Sequence, residues 1–311
     1  MRLTKIFADR KWLISGVMAS IGYGLWGFLD KFSTTQRPTI SNLLLYGIAL
    51  SIGLVFAAKY RSKPSKNALI AGICSGIINI FVLYSLLSNK LVLVFPFVSF
   101  GTVFFTLIYL AYFHPSYTKK MKIYISAGIA ISTLGLILIS LGISGGIAQI
   151  VATYSFDLST ITLGIAISVF TGFWTFFTFL TVFRDKVHPL ASAVWIYFGS
   201  FILAACALLI DLGPVLSEFS FSQDLVFPLI GGFFIFIGQI AASYGFRYVT
   251  SVGGVKQIVV AFLANGELLP ILFLSYFVLH EFSNEGFIGA ILVFAGLLVI
   301  NKVRASEESI P

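Results

Sequence analysis

Charge is what this sequence has least of. Only 10% of its 311 residues are Asp, Glu, Lys or Arg, against roughly a quarter in a typical soluble domain. A water-facing surface cannot be assembled from so few ionic groups. Cysteine is almost absent too: Cys74 and Cys206 lie inside apolar stretches, without metal-ligand or redox spacing, and read as packing residues. The three histidines, His114, His188 and His280, fall at the ends of apolar runs with no metal-ligand spacing. No glycine-rich loop ends in a lysine and a hydroxyl residue, so ATP hydrolysis has nothing to work with. No catalytic group, metal or cofactor is expected.

Apolar side chains fill the space that charge leaves. They make up 58% of the chain, with 33 phenylalanines and a mean hydropathy of +1.00. In water such a chain would expose large apolar areas, so its favoured solvent is lipid. Ten apolar stretches, each near the ~20 residues that cross a bilayer core, recur with short polar breaks. The first five run from Trp12 to Leu29, Asn42 to Ala58, Ala68 to Leu87, Leu91 to Phe113 and Ile123 to Ile143. A Gly/Ser-containing connector spans Gly145 to Asp157. The second five run from Leu158 to Phe183, Leu190 to Ile210, Leu225 to Phe246, Val255 to Leu279 and Gly286 to Ile300. The runs are apolar all round rather than alternating, which excludes a membrane barrel and predicts an all-α integral membrane protein. The loops are too short for a soluble domain with its own core.

The net charge of +8 comes from basic residues that flank apolar runs. That placement is the pattern of membrane orientation, not of nucleic-acid binding. With the amino terminus inside, sixteen Lys and Arg residues fall on the inner side. Only Lys31, Arg37 and Lys90 fall outside, and Lys256 lies within a helix. Both termini are therefore expected in the cytoplasm, in a multi-pass cell-membrane protein. Basic residues precede the first run as in a signal peptide, but no A-x-A-like site follows, so that run reads as the first helix.

Weak self-similarity divides the chain into residues 1–147 and 148–311. Gly72, Asn79, Ile80 and Tyr84 match Gly232, Gln239, Ile240 and Tyr244 at a constant offset of 160. Gly128 and Gly135 match Gly289 and Gly296 at 161, and Gly24 with Trp26 matches Gly172 with Trp174 at 148. Five helices per half is an odd number, so the second half is inverted relative to the first. Inverted repeats place a substrate site near the membrane midplane and suit alternating access.

Tyr23 to Lys31, YGLWGFLDK, resembles the opening Trp-Gly helix of the drug/metabolite transporter superfamily in its ten-helix EamA-like branch. Glu267 to Glu281, with Gly289 and Gly296 behind it, is similar to that family's last two helices. The resemblance covers essentially the whole chain. It implies a secondary transporter carrying a small, amino-acid-like metabolite, with export as the direction. Related branches carry sugars or nucleotide-sugars, a second reading of the same class. A lipid-modifying membrane enzyme would instead need a polar cluster at one interface. A structural or receptor protein would move no solute.

Glu267 is the most informative side chain, because an ionised carboxylate in mid-membrane costs several kcal/mol unless paired or hydrated. It reads as a substrate contact or a proton-coupling site, and otherwise as a hydrogen-bonded helix lock. Lys256, three turns earlier, can snorkel to the inner interface. Asn79 and Gln239 are repeat-related amides with Ser75 and Ser243 one turn away, suited either to glue helices or to line a central cavity. Tyr23, Trp26 and Asp30 share one face of the first helix, and Thr171, Trp174 and Thr178 one face of the sixth. Trp26 with Tyr84, and Trp174 with Tyr244, are candidates for outer and inner gates; interfacial aromatic belts explain them equally. The substrate-binding set is thus Trp26, Asn79, Tyr84, Trp174, Gln239, Tyr244 and Glu267.

Overall fold

The computed structural model describes residues 11–33, 38–57, 60, 64–88, 91–113, 119–143, 158–210, 221–249, 260–261, 263–265, 267–280 and 284–301. Among these residues there are ten α-helices and no strand. The first five are α1 (Lys11–Ser33), α2 (Pro38–Ala57), α3 (Lys66–Ser88), α4 (Leu91–Phe113) and α5 (Lys119–Ile143). The rest are α6 (Leu158–Phe183), α7 (Pro189–Ile210), α8 (Phe221–Val249), α9 (Leu268–Phe277) and α10 (Asn284–Asn301). Lys256, His114 and the connector around Gly145 to Asp157 lie outside the described residues.

Seven helices, α1 and α3 to α8, are long and apolar enough to cross a membrane. Shorter apolar stretches occupy α2, over Leu43–Val55, and α10, over Asn284–Gly296. Large apolar side chains such as Val55, Leu209 and Phe273 are exposed on the outside of the bundle, an arrangement suited to lipid and costly in water. The fold is that of an all-helical protein of the membrane class.

One expected helix is different. In place of a continuous run from Val255 to Leu279, Val260, Ala261, Leu263 and Ala264 are helical, and Asn265 and Glu267 are in a turn. A new helix, α9, starts at Leu268 with Glu267 as its N-cap residue. Glu267 therefore sits in the turn before α9, with helical backbone angles of φ −55° and ψ −15°. At ten residues α9 spans only about 15 Å, half the ~30 Å of a bilayer core. Asn265 anchors the interruption by donating to Thr102 Oγ1 of α4 at 3.0 Å and Thr175 Oγ1 of α6 at 3.3 Å.

The helices pack in a regular scheme. α1 lies on α8 and α6 on α3; α4 lies on α6 and α9 on α1; α3 lies on α7 and α8 on α2. Two further contacts, α5 on α10 and α2 on α7, complete it. Small residues allow the close approaches, since lipid offers no hydrophobic drive for helix association and contact must come from packing. A side chain at Gly72 would collide with the Ile196 carbonyl of α7, and one at Gly135 would lie 2.5 Å from the Gly289 carbonyl of α10. Ser132 Oγ donates to Val293 O at 3.2 Å beside that glycine pair.

Candidate functional site

Where α1, α3, α4, α6, α7, α8 and the Glu267 turn converge, they leave a narrow cavity of about 20 Å³, room for roughly one water molecule. Its wall includes Tyr23 and Trp26 of α1, Ser75 of α3, Thr171 and Trp174 of α6, Tyr197 of α7, Gln239 of α8, and Glu267. All of these side chains are buried. Tyr23 occupies the centre: its ring meets Trp174 edge-on at 5.3 Å and Trp26 at 6.4 Å, and its hydroxyl donates to Gln239 Oε1 at 3.2 Å. The Gln239 amide donates to Ser243 Oγ at 3.3 Å, one turn along α8.

Three polar atoms in this wall have no hydrogen-bond partner among the described residues: Trp26 Nε1, Trp174 Nε1 and Glu267 Oε1. A buried donor or acceptor without a partner costs about 1–3 kcal/mol, so three around one cavity mark a place that a ligand or water would relieve. Among the described residues, no Lys, Arg or His contributes to the wall.

Four of the seven residues singled out from sequence, Trp26, Trp174, Gln239 and Glu267, thus meet around one cavity. The other three are elsewhere. Asn79 is fully buried in α3, where Ser75 and Ile78 are the residues that reach the cavity. Tyr84 is 45% exposed near the end of α3. Tyr244 packs at the end of α8 against Tyr248 and the His188 ring, at 5.8 and 6.0 Å. The two tryptophans named as gate candidates both line this one cavity. Tyr197 was missed from sequence; its signal is Tyr46, five helices earlier on α2.

His188 joins the loop after α6 to Tyr60, with which it stacks at 3.9 Å and 4°. Burial and the Arg247 guanidinium push its imidazole below the usual histidine range.

Two larger spaces carry less chemistry. One, of about 480 Å³ between α4, α5 and α6, is lined by Phe97, Phe100, Phe104 and other apolar groups. Its hydroxyls, Thr133 and Ser168, are bonded to backbone carbonyls, so none is free to orient a metabolite. The other, of about 680 Å³, lies at the helix ends beside Lys66, Arg184 and Asp185. There Asp185 accepts from Ser65 and Asn67, and Arg184 donates to Tyr112.

No protein-family model and no curated protein matches the sequence. Twenty-five chains of solved structure do match. One, described only as "Crystal structure of protein", superposes with a TM-score of 0.61 at 15% identity over 95% of this chain and 98% of that one. That likeness is one of fold, and it extends over nearly the full length of both chains.

Proposed function

We propose that this chain is a secondary transporter that carries a small organic metabolite across the cell membrane by alternating access. Amino-acid-like solutes are the expected class, and export the expected direction. The observation that carries the reading is the narrow cavity lined by buried side chains from helices of both halves, with three polar atoms in its wall that have no partner among the described residues. A cavity with room for one water cannot hold a metabolite unless the helices around it separate. Separation of that kind is what alternating access requires.

The packing scheme supports two inverted five-helix repeats, all ten helices spanning. Replacing each helix by the one five places on turns α1 on α8 into α6 on α3, α4 on α6 into α9 on α1, and α3 on α7 into α8 on α2. It leaves α5 on α10 and α2 on α7 unchanged. Atomic contacts obey the same exchange. Gly72 meets the Ile196 carbonyl and Gly232 the Leu45 carbonyl; Gly135 meets Gly289 and Gly296 meets Gly128. These features fit the ten-helix EamA-like branch of the drug/metabolite transporter superfamily, with both termini cytoplasmic.

Purified protein in liposomes, screened for counter-flow of labelled amino acids, amines and sugars with and without a proton gradient, tests the reading. Saturable counter-flow of one class is the expected outcome. Stable, folded protein that exchanges nothing would favour a receptor or structural role.

A further inference from the structure

The polar cavity at the helix ends is placed and lined for a ligand of its own. It holds about 680 Å³ and lies where α3 begins and α6 ends, the end of the bundle expected to face the cytoplasm. Lys66 opens the apolar span of α3, Lys66–Leu86, and Arg184 follows directly on that of α6, Ile161–Phe183. Span length alone therefore sets both cations at the level of lipid headgroups.

Hydrogen bonds build this wall. α6 ends in a Schellman turn, with the Val187 N–H on Thr181 O at 3.2 Å and Lys186 in the left-handed region at φ 54°. That turn brings Asp185 to the start of α3, where its carboxylate accepts from Ser65 Oγ and from the Asn67 amide at 3.0 and 3.2 Å. Ser65 is itself buried and accepts from the Ala68 N–H at 3.1 Å, capping α3. Asp185 is thus engaged at the positive end of that helix. Lys66 and Arg184 against this one carboxylate leave the wall a single positive charge in excess. Arg184 gives one of its five N–H donors to Tyr112 Oη, at 3.0 Å. A guanidinium fork beside an ammonium is matched to a phosphate monoanion, which would balance that excess.

Below the cations the lining turns apolar. Ile70 of α3 and Phe177 of α6 contribute to it. About one turn further into each span, Ile73 and Phe173 are 43% and 38% exposed on the outside of the bundle. Phe173 stacks on Phe177 with centroids 6.4 Å apart, so an apolar ledge leads from the cations into the bilayer. Free phosphate gains nothing from such a ledge, whereas an acyl chain packs along it.

We propose that this cavity binds the phosphate headgroup of an anionic phospholipid, held by Lys66 and Arg184, with its acyl chains on the α3–α6 ledge. The site is separate from the central cavity, and the inference goes beyond the transport reading.

Thermal melts of the full-length protein in non-ionic detergent, titrated with dioleoyl phosphatidylglycerol, test this. The melt should rise and saturate, because a ligand of the folded state stabilises it. Dioleoyl phosphatidylcholine has the same chains and no net charge, and should need at least about tenfold more lipid for the same rise. Inorganic phosphate at the same concentrations should leave the melt unmoved. Lys66→Gln and Arg184→Gln should each weaken the phosphatidylglycerol response about tenfold, the equivalent of one charge-assisted hydrogen bond. Tyr112→Phe removes the hydrogen bond of Arg184 but not its charge, and should keep the response. Joint Lys119→Gln and Lys120→Gln, which removes two exposed cations at the start of α5, should keep it as well. Equal responses to the two lipids, or a loss in the Lys119 and Lys120 variant as large as in Lys66→Gln and Arg184→Gln, would overturn the proposal. An equal rise with inorganic phosphate would overturn the lipid as its source. If Lys66→Gln and Arg184→Gln do not fold, the lipid series on the unaltered protein decides: no preference for phosphatidylglycerol refutes it.

Discussion

Tyr46 and Tyr197 face each other across the α2–α7 contact, with ring centroids 6.0 Å apart. Each hydroxyl donates to a backbone carbonyl on the next helix of its own half: Tyr46 to Ser75 O at 2.8 Å, Tyr197 to Ile235 O at 2.5 Å. The tyrosines are 151 positions apart and the acceptors 160, the offset that also relates Asn79 to Gln239. If the halves are equivalent, Tyr46→Phe and Tyr197→Phe should cost similar amounts. Hydrogen bonds between membrane helices contribute about 0.6 kcal/mol on average and up to about 1.7, so each variant should melt slightly lower in detergent. A large loss from one and none from the other would count against equivalence.

Glycine tolerance should follow the backbone approaches. Gly72→Ala drives a methyl into the Ile196 carbonyl of α7, which cannot step aside as a side chain can. Destabilisation of about 1–3 kcal/mol is expected. At Gly47 the nearest neighbour is the Phe201 ring edge at 3.3 Å, and Gly47→Ala should be nearly neutral. Thermal melts of the two variants in one detergent decide this, and equal melts would contradict it.

Glu267→Gln and Glu267→Leu separate transport from packing. Gln keeps shape and hydrogen bonding but cannot exchange a proton, so the variant should fold and lose the pH dependence of flux. Leu should impair substrate binding as well. Flux with unaltered pH dependence in Glu267→Gln would remove the coupling role.

His188 supplies a pH dependence away from the cavity. Its Nδ1 accepts from the Leu190 backbone N–H at 3.4 Å near the start of α7, a bond only the unprotonated nitrogen can make. A histidine whose folded pKa is lowered contributes stability that is fully present above about pH 6.5, the unfolded value, and is lost as pH falls towards the folded one. The melt should therefore drop between pH 7.5 and pH 5.5. His188→Phe retains the stack on Tyr60 and should show a smaller drop.

Much of the fold was legible because lipid imposes one rule, that each spanning segment satisfies its own backbone. Segments such as Leu91–Phe113 and Leu158–Phe183 need only be apolar and long enough, and their observed ends match the expected ones. The interruption before α9 was hidden: Asn265, Gly266 and Glu267 sit in an apolar run, and only the bonds from Asn265 to Thr102 and Thr175 reveal the turn. At the site, Trp26, Trp174, Gln239 and Glu267 could be read because polar or amphipathic groups are costly inside a bundle. Burial alone does not say which side of α3 meets the cavity, and the structure brings Ser75 and Ile78 there rather than Asn79. Tyr84 and Tyr244 match at the 160 offset in sequence but lie near the helix ends, away from this cavity.

The most direct test of the transport reading is whether the cavity is reached in turn from both sides. Ile235 lines it, buried, beside the carbonyl that receives Tyr197. Ile235→Cys, in a chain with Cys74 and Cys206 replaced by Ala, should react with a membrane-impermeant thiol reagent in right-side-out and in inside-out vesicles, and transported solute should slow both reactions. Labelling from one side only, or from neither in a folded protein, would contradict alternating access.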